Sequence, residues 1–137
     1  MRIRQLRTGN LVIYEACYHR IKGITDNEDG KPAILTVKAV NHPNWEEYRC
    51  GIEELQGIPI EDKWLRRNKF LKSSMFPDTY IYALDTSRVM IYNTKSELLT
   101  FDNGQFGETK KVPWPVTYVH QLQNACEDME WNITVEP

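Results

Sequence analysis

Short runs of alternating apolar and polar residues, cut about every eight to twelve positions by turn residues, constrain this chain most. Strand side chains alternate between two faces, so each such run buries one face and needs neighbouring strands to complete it. A Thr8-Gly9-Asn10 turn leads into Leu11, Val12, Ile13 and Tyr14. Cys17, His19 and Ile21 then fall on one side of the next run, and Tyr18, Arg20 and Lys22 on the other. AILTVKAV divides likewise, with Ile34, Thr36 and Lys38 opposite Leu35, Val37 and Ala39. Asn41-His42-Pro43-Asn44 breaks it, and EYRCGIEEL supplies a further strand. Roughly four or five strands in so short a span predict a small antiparallel barrel of SH3-like type over residues 1–58. The polar loop Asp26-Asn27-Glu28-Asp29-Gly30, extended by Lys31-Pro32, separates two of them.

The pattern changes at Gly57-Ile58-Pro59. IEDKWLRRN begins with acids and ends with bases, matching the helix dipole, and predicts a short helix ending near Asn68-Lys69. TYIYALD, RVMIYNT and ELLTFDN then read as an antiparallel meander, with hairpins at Thr86-Ser87 and Lys95-Ser96. The segment from Gly104 through Lys110-Lys111 to Pro115 reads as irregular, and Pro115 marks the approach to a closing helix. Residues 59–137 therefore form a helix–meander–helix half, in an α+β chain whose two halves are expected to pack as one unit. At 137 residues the chain is long enough to bury about two-thirds of its unfolded surface without covalent staples.

Charge is segregated although the net value is only −2. Residues 1–25 carry Arg2, Arg4, Arg7, Arg20 and Lys22 against Glu15 alone, whereas residues 26–62 carry nine acids against three bases. Bases return at 63–74, and the last stretch holds acids only. Such alternation suits solvated faces that attract one another within a molecule. No apolar leader follows the first arginines and no run approaches the roughly 20 apolar residues of a membrane helix. Three cysteines without a C-x-x-C pair suit free thiols in a reducing cytoplasm, where the sequon at Asn132 is accidental.

The stretch YVHQLQNACEDMEW is the densest in groups capable of chemistry. On a helix it separates an apolar arc (Tyr118, Val119, Leu122, Ala125, Cys126, Met129) from a side holding His120, Asn124 and Glu127. A Cys126–His120 nucleophile pair is therefore excluded within the segment. The stripe of His120, Asn124 and Glu127 is read as a solvent face, or as a histidine bonded to a neighbouring strand. His120 and Asn124 are also the candidates for partner binding.

Other constellations give no assignable chemistry. Cys17, His19, His42 and Cys50 share one half but match no zinc-knuckle spacing, so neither metal nor other cofactor is expected. The carboxylate pairs are sequence neighbours, which point apart. A phosphate loop, a nucleophile elbow and an H-E-x-x-H helix are all absent. Small barrels commonly bind oligonucleotides through aromatics set among bases, and Arg2, Arg4, Arg7, Arg20 and Lys22 with Tyr14 and Tyr18 form the candidate surface.

Three stretches resemble a family of small proteins typical of gut bacteria and their prophages or other mobile elements. LRTGNLVIYEACYHRIKGI resembles the family's opening turn and two strands, GIPIEDKWLRRNKF its central helix entry, and YVHQLQNA its C-terminal motif almost letter for letter. Asn68-Lys69 stands where the family has an apolar residue and glycine, and Ala-Cys-Glu-Asp-Met-Glu-Trp replaces a run of large apolar residues after Asn124. No biochemical activity attaches to that family, so the resemblance implies origin and architecture. The expectation is a cytoplasmic, non-enzymatic protein-interaction protein of phage or mobile-element origin, with nucleic-acid binding through the basic N-terminal strands as the alternative.

Overall fold

The structure is a computed structural model that describes residues 6–25, 33–104 and 107–137. Arg2, Arg4, the polar loop at 26–32 and Gln105-Phe106 lie outside the described residues. The fold is α+β, mostly sheet, with two helices. Two compact units divide it: Met1–Ile58 with Tyr118–Asn124 and Pro137, and Pro59–Thr117 with Ala125–Glu136.

The first unit contains β1 (Leu11–Tyr14), β2 (Cys17–Thr25), β3 (Ile34–Ala39), β4 (Tyr48–Gly51) and β5 (Leu55–Gln56), all antiparallel, in the order β4-β3-β2-β1-β5. A register shift between Ile21 and Gly23 bends the long β2, and the sheet curls. One face packs Leu6, Val12, Ile21, Leu35, Val37, Cys50 and Leu55 into the core, as strand alternation requires. The β1–β2 turn is only Glu15-Ala16, both in left-handed backbone at φ 51° and 62°. Primed two-residue turns demand that conformation, and neither residue type advertises it.

The second unit begins with α1 (Asp62–Arg67), followed by β6 (Leu71–Lys72), β7 (Thr79–Ala83), β8 (Val89–Asn93), β9 (Leu99–Asp102) and β10 (Thr109–Lys111), in the sheet order β10-β9-β8-β7-β6. The Lys110-Lys111 segment expected to be irregular is thus an edge strand, where lysines discourage further strand addition. The hairpin loops are longer than Thr86-Ser87 and Lys95-Ser96 alone. Asp85 closes one by accepting from the Ser87 and Arg88 backbone N–H groups, and Asn93 closes the other by accepting from Lys95 and Ser96. The last helix, α2 (Val119–Asp128), contributes its first residues to the first unit and its last to the second.

Past Asn124 the chain packs through an aromatic pair and a thiol–thioether contact. Trp131 packs edge-on against Phe101 at 4.9 Å, and Cys126 Sγ lies 3.7 Å from Met90 Sδ. Asn68 brackets Glu136 through both backbone groups at 2.7 and 3.1 Å.

Helix α1 ends in a Schellman arrangement: Phe70 N–H donates to the Leu65 carbonyl at 2.9 Å and Lys69 N–H to Arg66 at 3.3 Å. This puts Lys69 at φ 69°, a conformation that costs a residue with a Cβ about 1–2 kcal/mol. Glycine removes that cost but loses about 0.5–1 kcal/mol more backbone freedom on folding. Lys69→Gly is therefore expected to raise urea-unfolding stability by roughly 0.5–1 kcal/mol, while Lys69→Ala, which keeps the Cβ, gives no such gain.

Candidate functional site

The polar residues of YVHQLQN divide between a structural clasp and a buried imidazole. At the turn spanning residues 7–10, Gly9 adopts φ 94°, Asn10 N–H donates to the Arg7 carbonyl, and the Asn10 carboxamide oxygen accepts from Arg7 N–H at 2.7 Å. Glycine is favoured at that position because the turn needs positive φ. Helix α2 reaches this turn with two consecutive side chains. Gln123 Oε1 accepts the Leu11 N–H at 2.8 Å while its Nε2 donates to the Gly9 carbonyl at 3.2 Å. Asn124 Oδ1 accepts from Asn10 Nδ2 at 2.8 Å, and its carbonyl accepts from Arg7 at 3.4 Å. Gln121 reaches back to accept the Tyr118 N–H at 3.0 Å, closing half of a capping box. The Tyr118 ring covers Gly57, where an added Cβ would come within 2.6 Å of it.

Asn124, a candidate binding residue by sequence, is thus half-buried and held by the turn. His120, the other candidate, is neither on a solvent face nor bonded to a strand. It is fully buried, stacked on Tyr118 at 5.8 Å between centroids, and among the described residues neither ring nitrogen has a hydrogen-bond partner. The wheel placed it opposite the apolar arc, but the first turns of α2 are buried on that side also.

The outer face of the first sheet holds the site with binding chemistry. Arg20 and Lys38 are direct cross-strand partners, and Arg49 faces Thr36 two positions along β3, on the same side as Lys38. Lys22, at the β2 irregularity, joins Arg20 and Lys38 around a recess of about 190 Å³. Tyr18, exposed, lies two residues from Arg20 on the same face. Lys38 Nζ also donates to the carbonyls of Pro43 and Trp45, fixing the β3–β4 loop beside the recess. On that loop His42 and Trp45 stack at 3.8 Å with planes 9° apart, and Trp45 is exposed.

Like charges opposite one another across strands are destabilising. Among the described residues no carboxylate forms an ion pair with Arg20, Lys22, Lys38 or Arg49. Three acids of this unit, Glu15, Glu53 and Glu54, act instead on groups at the core face. Burial, then Glu54 and Glu53, raise the Cys50 thiol to about 11, and burial, Glu15 and Glu54 raise Tyr14. Glu46 and Glu47 follow Trp45 and are exposed. A flat aromatic pair beside unpaired cations can stack planar groups while neutralising attached anions.

The sequence-based surface is therefore redistributed. Arg20 and Lys22 belong to it; Arg7 is in the clasp, donating to Asn124, and Arg2 and Arg4 lie outside the described residues. Tyr14 faces the core side, edge-on to His19 at 5.2 Å. Lys38, Arg49, His42 and Trp45 were missed. Alternation already put Lys38 on the outward side, but only the strand register shows which cations it opposes. Among the described residues no three of His, Cys, Asp and Glu converge on a metal position: His19 Nδ1 lies 2.9 Å from the Cys17 carbonyl, and His42 is stacked on Trp45.

Two outcomes follow from the clasp and the imidazole. Gln123→Ala removes partners from Leu11 N–H and the Gly9 carbonyl, and is expected to cost about 1–3 kcal/mol in urea unfolding. Burial holds His120 down to about 4, below its ordinary 6.5. As pH falls through that window the unfolded chain takes up a proton that the folded one refuses. Stability attributable to His120 is then constant above about 6.5, declines on acidification and levels off below about 4, a loss near 3 kcal/mol. Unfolding titrations across this range should show that extra slope in the parent protein and lose it in His120→Leu.

No family model, no curated protein and no solved structure matches this chain.

Proposed function

We propose that the protein acts by binding, without catalysing a reaction, and that the outer face of its first sheet takes a single-stranded nucleic acid. One observation carries this reading. Arg20 stands directly opposite Lys38, with Lys22 and Arg49 on the same face, and among the described residues no carboxylate is paired to any of them. An arrangement that is unfavourable by itself becomes favourable when phosphates neutralise it. The stacked His42–Trp45 pair and Tyr18 supply the flat surfaces on which unpaired bases stack without sequence preference. Duplex bases, already stacked on one another, have no use for such surfaces.

The first unit's curled sheet, with β5 returning to pair with β1, supports reading it as an SH3-like barrel. A reducing cytoplasm suits Cys17, Cys50 and Cys126, all of them free thiols. Among the described residues no helix is long and apolar enough to cross a membrane. A second reading, contact with another protein in a phage or mobile-element setting, draws on the exposed apolar side chains of the second unit and on the resemblance carried by YVHQLQN.

Fluorescence anisotropy with a labelled mixed-sequence single-stranded oligonucleotide tests the nucleic-acid reading. Affinity should fall with salt along a log–log slope of about −0.7 for each phosphate contacted. Lys22→Ala with Arg49→Ala, both exposed, should make that slope shallower by roughly 1.4 without unfolding the chain. Trp45→Ala should cost about 1–3 kcal/mol in affinity. Absence of binding at low salt, or binding indifferent to all three substitutions, defeats the reading.

A further inference from the structure

We infer that the second unit docks onto a second copy of this chain, with the Phe76 tip of one molecule seated in the Trp114 cleft of the next. The inference is independent of the nucleic-acid reading and deepens the protein-contact reading by naming the partner.

The tip is the loop between β6 and β7. Leu71, Met75 and Phe76 are 75%, 81% and 61% exposed, which makes an unusual concentration of large apolar side chains in water. The loop is nevertheless built rigidly. The Ser73 hydroxyl accepts the N–H groups of Met75 and Phe76 at 3.2 and 3.1 Å. Thr79 Oγ1 donates to the Pro77 carbonyl at 3.1 Å, and Thr94 N–H donates to the Asp78 carbonyl at 2.8 Å. A loop already fixed in shape loses little entropy when it docks.

The receptor lies on the same unit. Phe101, Val112, Pro113, Trp114 and Met129 line an open, mainly apolar cleft of about 100 Å³, and Trp114 is 59% exposed. A cavity of roughly 150 Å³ takes a benzene ring, so this cleft suits one phenyl ring seated partway in. Trp114 and Met129 offer aromatic and thioether contacts to such a ring.

Charge favours the same pairing. Lys72 immediately precedes the tip loop, and Lys95 follows the Thr94 that anchors it. Asp128 lines the cleft, with Glu127 and Glu130 on either side of it and Met129 in sequence. Asp78 at the tip, and Lys110 with its neighbour Lys111 at the cleft, run against this trend without cancelling it. Opposite rims steer two copies together and fix their orientation. Because tip and cleft are different surfaces, copies pair either reciprocally, each tip in the other's cleft about a two-fold axis, or head to tail in a ring or open chain.

Sedimentation velocity on the full chain, from low to several hundred micromolar, tests this. The parent protein should show concentration-dependent association, weakened about tenfold or more by Phe76→Asp and equally by Trp114→Asp. Both side chains are exposed, so neither change should unfold the chain. The Phe76→Asp molecule keeps its cleft and the Trp114→Asp molecule keeps its tip. Their mixture should therefore give one-to-one dimers and nothing larger. A parent protein monomeric at every concentration overturns the inference and leaves the oligonucleotide assay untouched. So does a mixture that fails to dimerise, or association that only one substitution disrupts. Phe76-dependent pelleting with phosphatidylcholine–phosphatidylglycerol vesicles, in the absence of self-association, would assign the tip to lipid and also overturn it.

Discussion

The grip of Gln123 and Asn124 on the turn at residues 7–10 is the interaction on which the first unit depends. The turn launches β1, and Gly9 and Asn10 also exchange backbone hydrogen bonds with Ile21 of β2. A side-chain clasp from the far end of the sequence thus meets the point where the first two strands are set in register. Its donors and acceptors are mostly satisfied by one another. That matters because an unmade hydrogen bond in such a place costs more than a made one contributes. Arg20, whose guanidinium donates to the Gly9 carbonyl at 3.0 Å, links the clasp to the basic face. The orientation of one phosphate-binding candidate is therefore set by the same turn.

Charge layout follows from the sheet's two faces more than from the sequence blocks. Linear counting shows a basic beginning and an acidic middle, which would set cations against anions. Folding changes that picture, because β3 and β4 bring Lys38 and Arg49 out of the acidic block and onto the side of Arg20. Glu53 and Glu54 act instead on Cys50 at the core face. A near-neutral net charge therefore coexists with a face that carries four cations.

Much of the secondary structure was legible, for identifiable reasons. Alternation in CYHRIKGIT and AILTVKAV marked strands and their faces, and the acid-to-base gradient of IEDKWLRRN marked α1. What escaped depended on contacts between distant residues or on unadvertised backbone. Glu15-Ala16 forms a primed turn without Asn or Gly, because the strands on either side impose it. β10 was hidden in Lys110-Lys111, whose side chains suit an edge and give no apolar signal. His42 lies in what reads as a simple break at Asn41-His42-Pro43-Asn44, and Trp45 beside it gives no signal, since Lys38 organises that loop only through backbone carbonyls. The site is half legible: Arg20 and Lys22 stand out in the sequence, and the cations beside them emerge only from the register.

The polar density of YVHQLQN has a physical origin apart from catalysis. A helix that starts beside a turn leaves orphan groups at both, since the first N–H groups of the helix and the bent backbone of the turn lack partners. Gln121 serves the helix start, and Gln123 and Asn124 serve the turn. Long amides suit this task because each both donates and accepts, as Gln123 does between Leu11 and Gly9. His120 alone among these polar side chains serves no hydrogen bond. Buried and stacked on Tyr118, it acts as a flat, neutral ring, and burial keeps it neutral at ordinary pH. A motif that looks like an active site in one dimension is, in three, the set of groups that lets two chain ends meet without leaving their backbones unsatisfied.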